Sequence, residues 1–265
     1  MKVTILGCGG SGGVPMADGT MGGNWGVCDP ANPKNRRRRV SILVESGNAC
    51  VLVDASPDLR AQLLDARVRR LTAVLFTHAH ADHCHGLDEL RALAHAQRRP
   101  IDAYMDAPTR AALTARFAYA FASSCDRSSL YGPVFEDRIL DGPVHIGGLT
   151  AVPFTQGHGP ETTLGLRFGA VAYSTDVVSL DDAAFATLAG VEVWIVDCLR
   201  DAPHATHSHV AQTLQWIERL KPARAILTHM NHQIDYEDLR RRCPAGVEPA
   251  YDGLTIDVAD RGQFS

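Results

Sequence analysis

No Cys-x-x-Cys pair occurs in this chain, and its seven cysteines (Cys8, Cys28, Cys50, Cys84, Cys125, Cys198 and Cys243) are odd in number and widely spaced. That pattern fits neither a disulfide framework nor a cysteine zinc site, and it points to reduced thiols in a cytoplasm. No apolar run approaches the roughly 20 residues of a membrane span, so no membrane partner is expected. Positive charge is not in excess: the formal net charge of -4 argues against a broadly basic nucleic-acid surface. The start, Met1 to Leu6, meets Gly7 at once; it is too short for a signal peptide and reads as a first strand. The glycine-rich stretch Gly7 to Gly13 lacks the Lys-Ser/Thr ending of a P-loop, and Val14-Pro15 does not open a helix. It reads as a loop whose backbone approaches a site rather than as a nucleotide cradle. No repeat, low-complexity segment or linker interrupts the chain, so one domain spanning 1–265 is expected.

Hydrophobic residues make up 45% and charged residues 21%, an ordinary soluble composition. Twelve histidines are less ordinary. Most lie within 77–85, 204–209 and 229–232, with another at His158 beside a glycine. The densest stretch is Thr77-His78-Ala79-His80-Ala81-Asp82-His83. An apolar run, Ala73 to Phe76, leads into it and a helical pattern, 86–97, leads out. Neutral imidazoles and an ionised carboxylate at this density suit a divalent metal.

Other polar residues recur at predicted strand ends. Asp54 follows strand 50–53, His158 follows strand 148–154, Asp176 follows 170–174, Asp197 follows 191–196 and His229 follows 223–227. Ligands at one edge of a sheet layer can converge from distant parts of a chain. Pro57 to Arg67 reads as a helix with Ser56 as N-cap, 108–122 as another, and His207 to Leu220 as a third. Residues 123–148 carry little pattern and could shape a pocket mouth. Arg36, Arg37, Arg38 and Arg39 could meet phosphate or RNA, although on a strand they would alternate faces; the plainer reading is a solvated run with one or two ion pairs. His95 and His145 read as surface residues, and Cys84 and His85 as neighbours of the cluster.

The motif Thr77 to His83, T-H-x-H-x-D-H, followed by Gln156-Gly157-His158-Gly159, Tyr173-Ser174-Thr175-Asp176 and Leu227-Thr228-His229, resembles the metallo-β-lactamase superfamily in order and spacing. The resemblance implies an α/β fold, an αββα sandwich of two mixed sheets face to face with helices outside. Within the superfamily the chain is most similar to the phosphodiesterase branch that includes phosphoribosyl 1,2-cyclic phosphate phosphodiesterases and tRNase Z. It departs from that pattern at Cys28. A cysteine cluster with a late histidine would hold a structural zinc there, but one thiolate and His232 cannot supply four ligands.

What the resemblance implies for the site is two divalent ions, zinc or manganese. His78, His80 and His158 would hold one, Asp82, His83 and His229 the other, and Asp176 would bridge them, with a bridging hydroxide as nucleophile. His207 would be the general acid and is counted catalytic together with Asp82; His204 and His209 are its competitors. A place at a helix start would lower the pKa of His207. Asp54 either orients a ligand imidazole or is a turn residue at a strand end, and Asp197 carries the same two readings. The expected substrate is a small cyclic or nucleotide-like phosphodiester. The alternatives are tRNA 3′ processing with an RNA partner, hydrolysis of a carboxylic ester, thioester or lactam, and a non-hydrolytic role resembling pyrroloquinoline quinone biosynthesis protein B. The oligomeric state stays open, a homodimer included.

Overall fold

The computed structural model describes residues 1–121 and 133–258. Six strands come first: β1 (Lys2–Gly7), β2 (Ser41–Ser46), β3 (Ala49–Val53), β4 (Ala73–Leu75), β5 (Ile101–Met105) and β6 (Phe135–Ile139). Eight follow: β7 (Val144–Ile146), β8 (Leu149–His158), β9 (Glu161–Phe168), β10 (Val171–Ser174), β11 (Val193–Asp197), β12 (Arg224–Thr228), β13 (Val247–Pro249) and β14 (Thr255–Asp257). They form two seven-stranded sheets, ordered β14-β1-β2-β3-β4-β5-β6 and β13-β12-β11-β10-β9-β8-β7. Both are mixed. β3 to β6 run parallel to one another, as do β10 to β13, while β1–β2, β2–β3, β8–β9 and β9–β10 are antiparallel.

The parallel strands explain the short apolar runs in the sequence. Every residue of β3, β4 and β11 is buried, as expected of strands covered on both faces. Alternate side chains serve different layers. Val51, Val53, Ala73 and Leu75 join the core shared with Leu166, Phe168 and Trp194 of the second sheet. Leu52, Val74 and Phe76 point the other way, to Leu59 of helix α1 (Leu59–Asp65). A short helix α2 (Ala81–Cys84), then α3 (Leu90–Gln97) and α4 (Ala107–Arg116), follow in this half, and α3 and α4 pack on the same outer layer. Helices α5 (Asp182–Leu188), α6 (Val210–Leu220) and α7 (Tyr236–Arg242) accompany the second sheet. The αββα expectation therefore holds.

Several boundaries differ from the sequence reading. Helix α1 starts at Leu59, two residues after the expected Pro57, and its N-cap is Asp58 rather than Ser56. Asp58 makes no capping bond, because its carboxylate accepts from the Arg39 backbone N–H at 2.9 Å and pairs with the Arg39 Nε at 3.1 Å. Helix α4 ends at Arg116; of the segment 123–148 expected near a pocket mouth, residues 123–132, Cys125 included, lie outside the described residues, and the remainder supplies β6 and β7. His158 is the last residue of β8 rather than a loop residue beyond an earlier strand. Helix α6 starts at Val210, not His207. The Ser208 N–H donates to Val177 O and its carbonyl accepts from Leu199 N, and His209 is extended, so the backbone here is already bonded outside a helix. Among the described residues no helix is long and apolar enough to cross a membrane.

Candidate metal centre

The strand ends set the site. Asp54 follows β3, the loop 76–80 follows β4, Asp176 follows β10, Asp197 ends β11 and His229 follows β12. Three of these residues, Asp54 (φ 62°), Asp176 (φ 52°) and His229 (φ 59°), adopt the left-handed backbone region that disfavours side chains. Such conformations cost on the order of 1–3 kcal/mol each and persist where surrounding contacts impose them. Each turns the chain sharply at a strand terminus and sends a polar side chain into the gap between the sheets' ends.

The side chains meet around Asp176, which is buried. Its Oδ1 lies 3.9 Å from His78 Nε2, 3.8 Å from His158 Nε2 and 3.8 Å from His207 Nε2. Its Oδ2 lies 3.0 Å from His83 Nε2 and 3.3 Å from His229 Nε2. Asp82 Oδ2 closes the second side, 3.4 Å from His83 Nε2 and 3.7 Å from His229 Nε2. Potential ligand atoms fall within 4.8 Å of one another in three groups: His78, His80, His158 and Asp176; Asp82, His83 and His229; and Asp176, His207 and His229. All seven residues expected as ligands are thus brought together, and His207 stands among them.

Hydrogen bonds fix which nitrogen faces inward. His83 Nδ1 is 2.7 Å from Asp54 Oδ2, and His158 Nδ1 is 2.8 Å from the Thr206 carbonyl. Both partners only accept, so each Nδ1 carries a proton and each Nε2 is the nitrogen left to face the centre. Thr77 Oγ1 donates to Asp54, which leaves its oxygen free to accept from His78 Nδ1 at 3.0 Å. His207 Nδ1 is likewise 2.8 Å from Asp197 Oδ2. Asp54 and Asp197 are therefore imidazole partners, the first of the two readings each had. Asp54 also accepts from the Thr77 N–H at 2.8 Å, and Asp197 from the Val177 N–H at 3.0 Å.

Charge is tightly coupled here. Burial works against charge on His83, but Asp176, Asp82 and Asp54 outweigh it and hold its pKa well above the usual histidine range. Burial also opposes charge on His229, yet Asp176 and Asp82 raise its pKa to about 9. Burial would raise the Asp176 carboxyl, but His229, His83 and His78 hold it well below the usual carboxylate range. Burial lowers both His78 and His158, so these two stay neutral. The carboxylates thus demand positive charge that protons supply on one side of Asp176, and divalent cations can replace those protons.

The residues fit such ions. His78 Nε2, His83 Nε2 and both ring nitrogens of His229 are buried without a hydrogen-bond partner. Orphaned buried nitrogens are costly, and coordination of a cation would satisfy the inward-facing ones. The donors are imidazole nitrogen and carboxylate oxygen with no thiolate, a set that zinc or manganese accepts.

A cavity of about 250 Å³ opens onto the centre, lined by Ser11, His80, Glu161, Thr206 and His207 among others. The glycine loop does approach it: a Cβ added at Gly10 would stand 3.4 Å from the His229 ring. Sequence reasoning did not single out Glu161, although it lies directly across the β8–β9 hairpin from His158. His204 packs beside His207, with ring centroids 5.2 Å apart, and its Nδ1 is 3.3 Å from the Thr206 N–H. His209 is the residue before α6 and makes no side-chain capping bond.

The arginine run lies elsewhere. Arg37 is buried, donating to the Asn231 carbonyl at 2.9 Å and to Asn35 Oδ1 at 3.1 Å. Arg38 pairs with Asp65, Arg39 with Asp58, and Arg36 sits over the Trp25 ring. The run is structural, and more of it is committed to partners than a solvated stretch would be. Cys28 is buried, its thiol 3.1 Å from the Ile234 carbonyl.

Residues 50–230 match the β-lactamase superfamily domain. The chain belongs to that superfamily. Its place in the PhnP/tRNase Z-like branch follows from its similarity to a solved diphosphatase of the PhnP family, 31% identical, covering 97% of this chain and 98% of that one with a TM-score of 0.86. Zinc-bound PqqB from Methylobacterium extorquens (20% identity, 97% and 100% coverage, TM-score 0.75) and the short form of human tRNase Z (17%, 98% and 100%, TM-score 0.69) share the fold. An octanoyltransferase from Porphyromonas gingivalis is 28% identical over 99% of this chain, which spans about half of that relative (52%).

Proposed function

We propose that this superfamily member is a dinuclear metal-dependent hydrolase that cleaves a phosphodiester or phosphoanhydride bond in a small molecule. The carrying observation is the Asp176 carboxylate set between two groups of imidazoles, with the Asp197–His207 pair at the mouth of the same cavity. His78, His80 and His158 would hold one ion, Asp82, His83 and His229 the other, with Asp176 shared. When bound, two such ions activate water and offset negative charge on a phosphoryl group.

The chain's own residues supply the rest. Asp197 accepts from His207 Nδ1–H, fixes the ring plane and stabilises an imidazolium. Such a ring can carry a second proton on Nε2, which faces the cavity, and pass it to the departing oxygen. The backbone carbonyl of Thr206, next to His207, holds His158, so the acid and a ligand are positioned by one loop. The cavity, about 250 Å³, is at the small end of ligand pockets, which favours a phosphoryl group with a compact substituent over a folded RNA. The similar PhnP-family structure is a diphosphatase, which supports the same bond class.

The test is turnover of bis(p-nitrophenyl) phosphate and of a nucleoside diphosphate conjugate by zinc- or manganese-loaded protein, with nitrocefin, a thioester and pre-tRNA as competitors. The expected result is cleavage of the phosphate substrates, with His207→Ala lowering kcat by roughly 10²–10⁴-fold at unchanged metal content. Cleavage confined to nitrocefin or the thioester overturns the bond class; full activity in His207→Ala overturns only the acid.

A further inference from the structure

The stretch Gly9-Gly10-Ser11-Gly12-Gly13 carries one side chain in five residues. Close packing accounts for two of the glycines. A Cβ at Gly9 would stand 2.9 Å from Arg37 Cβ, and one at Gly10 would stand 3.2 Å from Leu199 Cδ1 and 3.4 Å from the His229 ring. Ser11 is instead exposed, and it lines the cavity over the metal centre together with Asp176 and His207.

The loop is fixed to the strand end that delivers His229. The Gly9 N–H donates to the Arg38 carbonyl at 2.7 Å, the Gly10 N–H to the Met230 carbonyl at 3.2 Å, and the Met230 N–H to the Cys8 carbonyl at 3.0 Å. The Gly13 N–H closes a turn on the Gly10 carbonyl at 2.8 Å, with Ser11 and Gly12 at its centre. A serine that serves a turn uses its hydroxyl to bond nearby backbone. Ser11 Oγ makes no such bond, and among the described residues it has no hydrogen-bond partner.

We infer that Ser11 is a substrate-contact residue: its hydroxyl donates to a non-bridging oxygen of the phosphoryl group held at the centre. This rests on the phosphoryl-hydrolase reading given above. The cavity offers few other donors for that oxygen. None of its lining residues is Lys or Arg. Pro160 has no donor and an ionised Glu161 only accepts. Thr206 Oγ1 is 3.2 Å from His204 Nδ1, which also accepts from the Thr206 N–H, so that hydroxyl is already committed. His80, Asp82, His158 and Asp176 are assigned to the ions and His207 to the departing oxygen. An anionic oxygen strengthens a hydroxyl hydrogen bond, and a donor on a loop tied at both ends needs no reorganisation to make it.

The test is binding of inorganic phosphate to the zinc-loaded full chain, measured by calorimetry for wild type and Ser11→Ala. Azide serves as the comparison probe, an anion that ligates metal but offers no tetrahedral oxygens. Alanine keeps the backbone N–H and removes only the hydroxyl. A hydrogen bond to a charged group is worth roughly tenfold or more in affinity. Phosphate should therefore bind about tenfold more weakly to Ser11→Ala, at unchanged zinc content and unchanged azide affinity. The kcat/KM for bis(p-nitrophenyl) phosphate should fall by a similar factor. Wild-type phosphate affinity in Ser11→Ala, or an equal loss for azide, overturns the inference. Wild-type protein that binds phosphate yet cleaves no phosphodiester or phosphoanhydride overturns the proposed function, while the Ser11 contact is still decided by the binding comparison; wild-type protein that binds no phosphate overturns both.

Discussion

Asp54→Asn separates support of the metal centre from support of the fold. Asp54 is fully buried and accepts from Thr77 N–H, Thr77 Oγ1–H and His83 Nδ1–H. Asparagine fills the same volume and tolerates the left-handed backbone at φ 62°. Its oxygen can still take the Thr77 N–H, but its NH₂ then faces His83 Nδ1. The imidazole can then no longer hold a proton on Nδ1 and must carry its one proton on Nε2. That proton faces Asp176 Oδ2, 3.0 Å away, so the metal-free protein keeps this contact. Burial already pushes the Asp54 carboxyl up, against the pull of His83, so removing the charge also removes a desolvation cost. The net loss of stability without metal should be small, about 1–2 kcal/mol. Metal affinity should fall by roughly 10–100-fold, since Nε2 of His83 no longer offers a lone pair. Asp54→Ala instead strands three buried donors and should cost at least about 3 kcal/mol at about 1–3 kcal/mol each. Urea unfolding in chelator and zinc competition on the same preparations measure the two quantities. Wild-type zinc affinity in Asp54→Asn, alongside lost stability, would refute the tautomer reasoning.

Other expectations follow from single contacts. Gly86 abuts the strand-end segment before α1, and a Cβ there would stand 1.8 Å from the Ser56 carbonyl oxygen; Gly86→Ala should cost about 2–3 kcal/mol and lower thermal stability even in chelator, and an unchanged melting temperature would contradict the packing. Burial pushes the Asp252 carboxyl up to about 6, against donors from Arg38 N and Cys8. A folded pKa above the unfolded value of about 3.9 means the native state holds this proton more tightly, so its stabilising effect is full below pH 4 and is lost as pH rises to 6. The stability of wild type minus that of Asp252→Asn should therefore shrink by about 2 kcal/mol from pH 4 to pH 7, and a flat difference in chelator-treated samples would count against it.

What the sequence disclosed and what it hid divide along one physical line. Asp54, Asp176, Asp197 and His229 were legible because each comes at or just past the end of a largely buried strand, where an apolar run must give way to polar residues once the strand leaves the core. Val51-Leu52-Val53 stops at Asp54, Ile226-Leu227 at Thr228-His229 and Val193 to Val196 at Asp197. The contiguous Thr77 to His83 loop needed no long-range information at all. What stayed hidden depends on partners far away in the chain. Arg37 reads as one charge in a solvated run, yet the Asn231 carbonyl, 194 positions away, lets it be buried. His207 reads as a helix start, yet bonds from Ser208 to Val177 and Leu199 keep it in a loop against Asp197. Ser56-Pro57 reads as a cap, yet Arg39 draws Asp58 away and the helix opens later. Glu161 carries no motif; only the register that sets it opposite His158 and the 3.1 Å approach to His80 bring it to the cavity. Residue type along the strands thus locates a centre of this kind, while the state of each ligand atom is decided by hydrogen-bond partners that only the folded topology brings within reach. Substitutions at those partners, Asp54 and Asp197, should accordingly change which nitrogen is available without changing which residues converge.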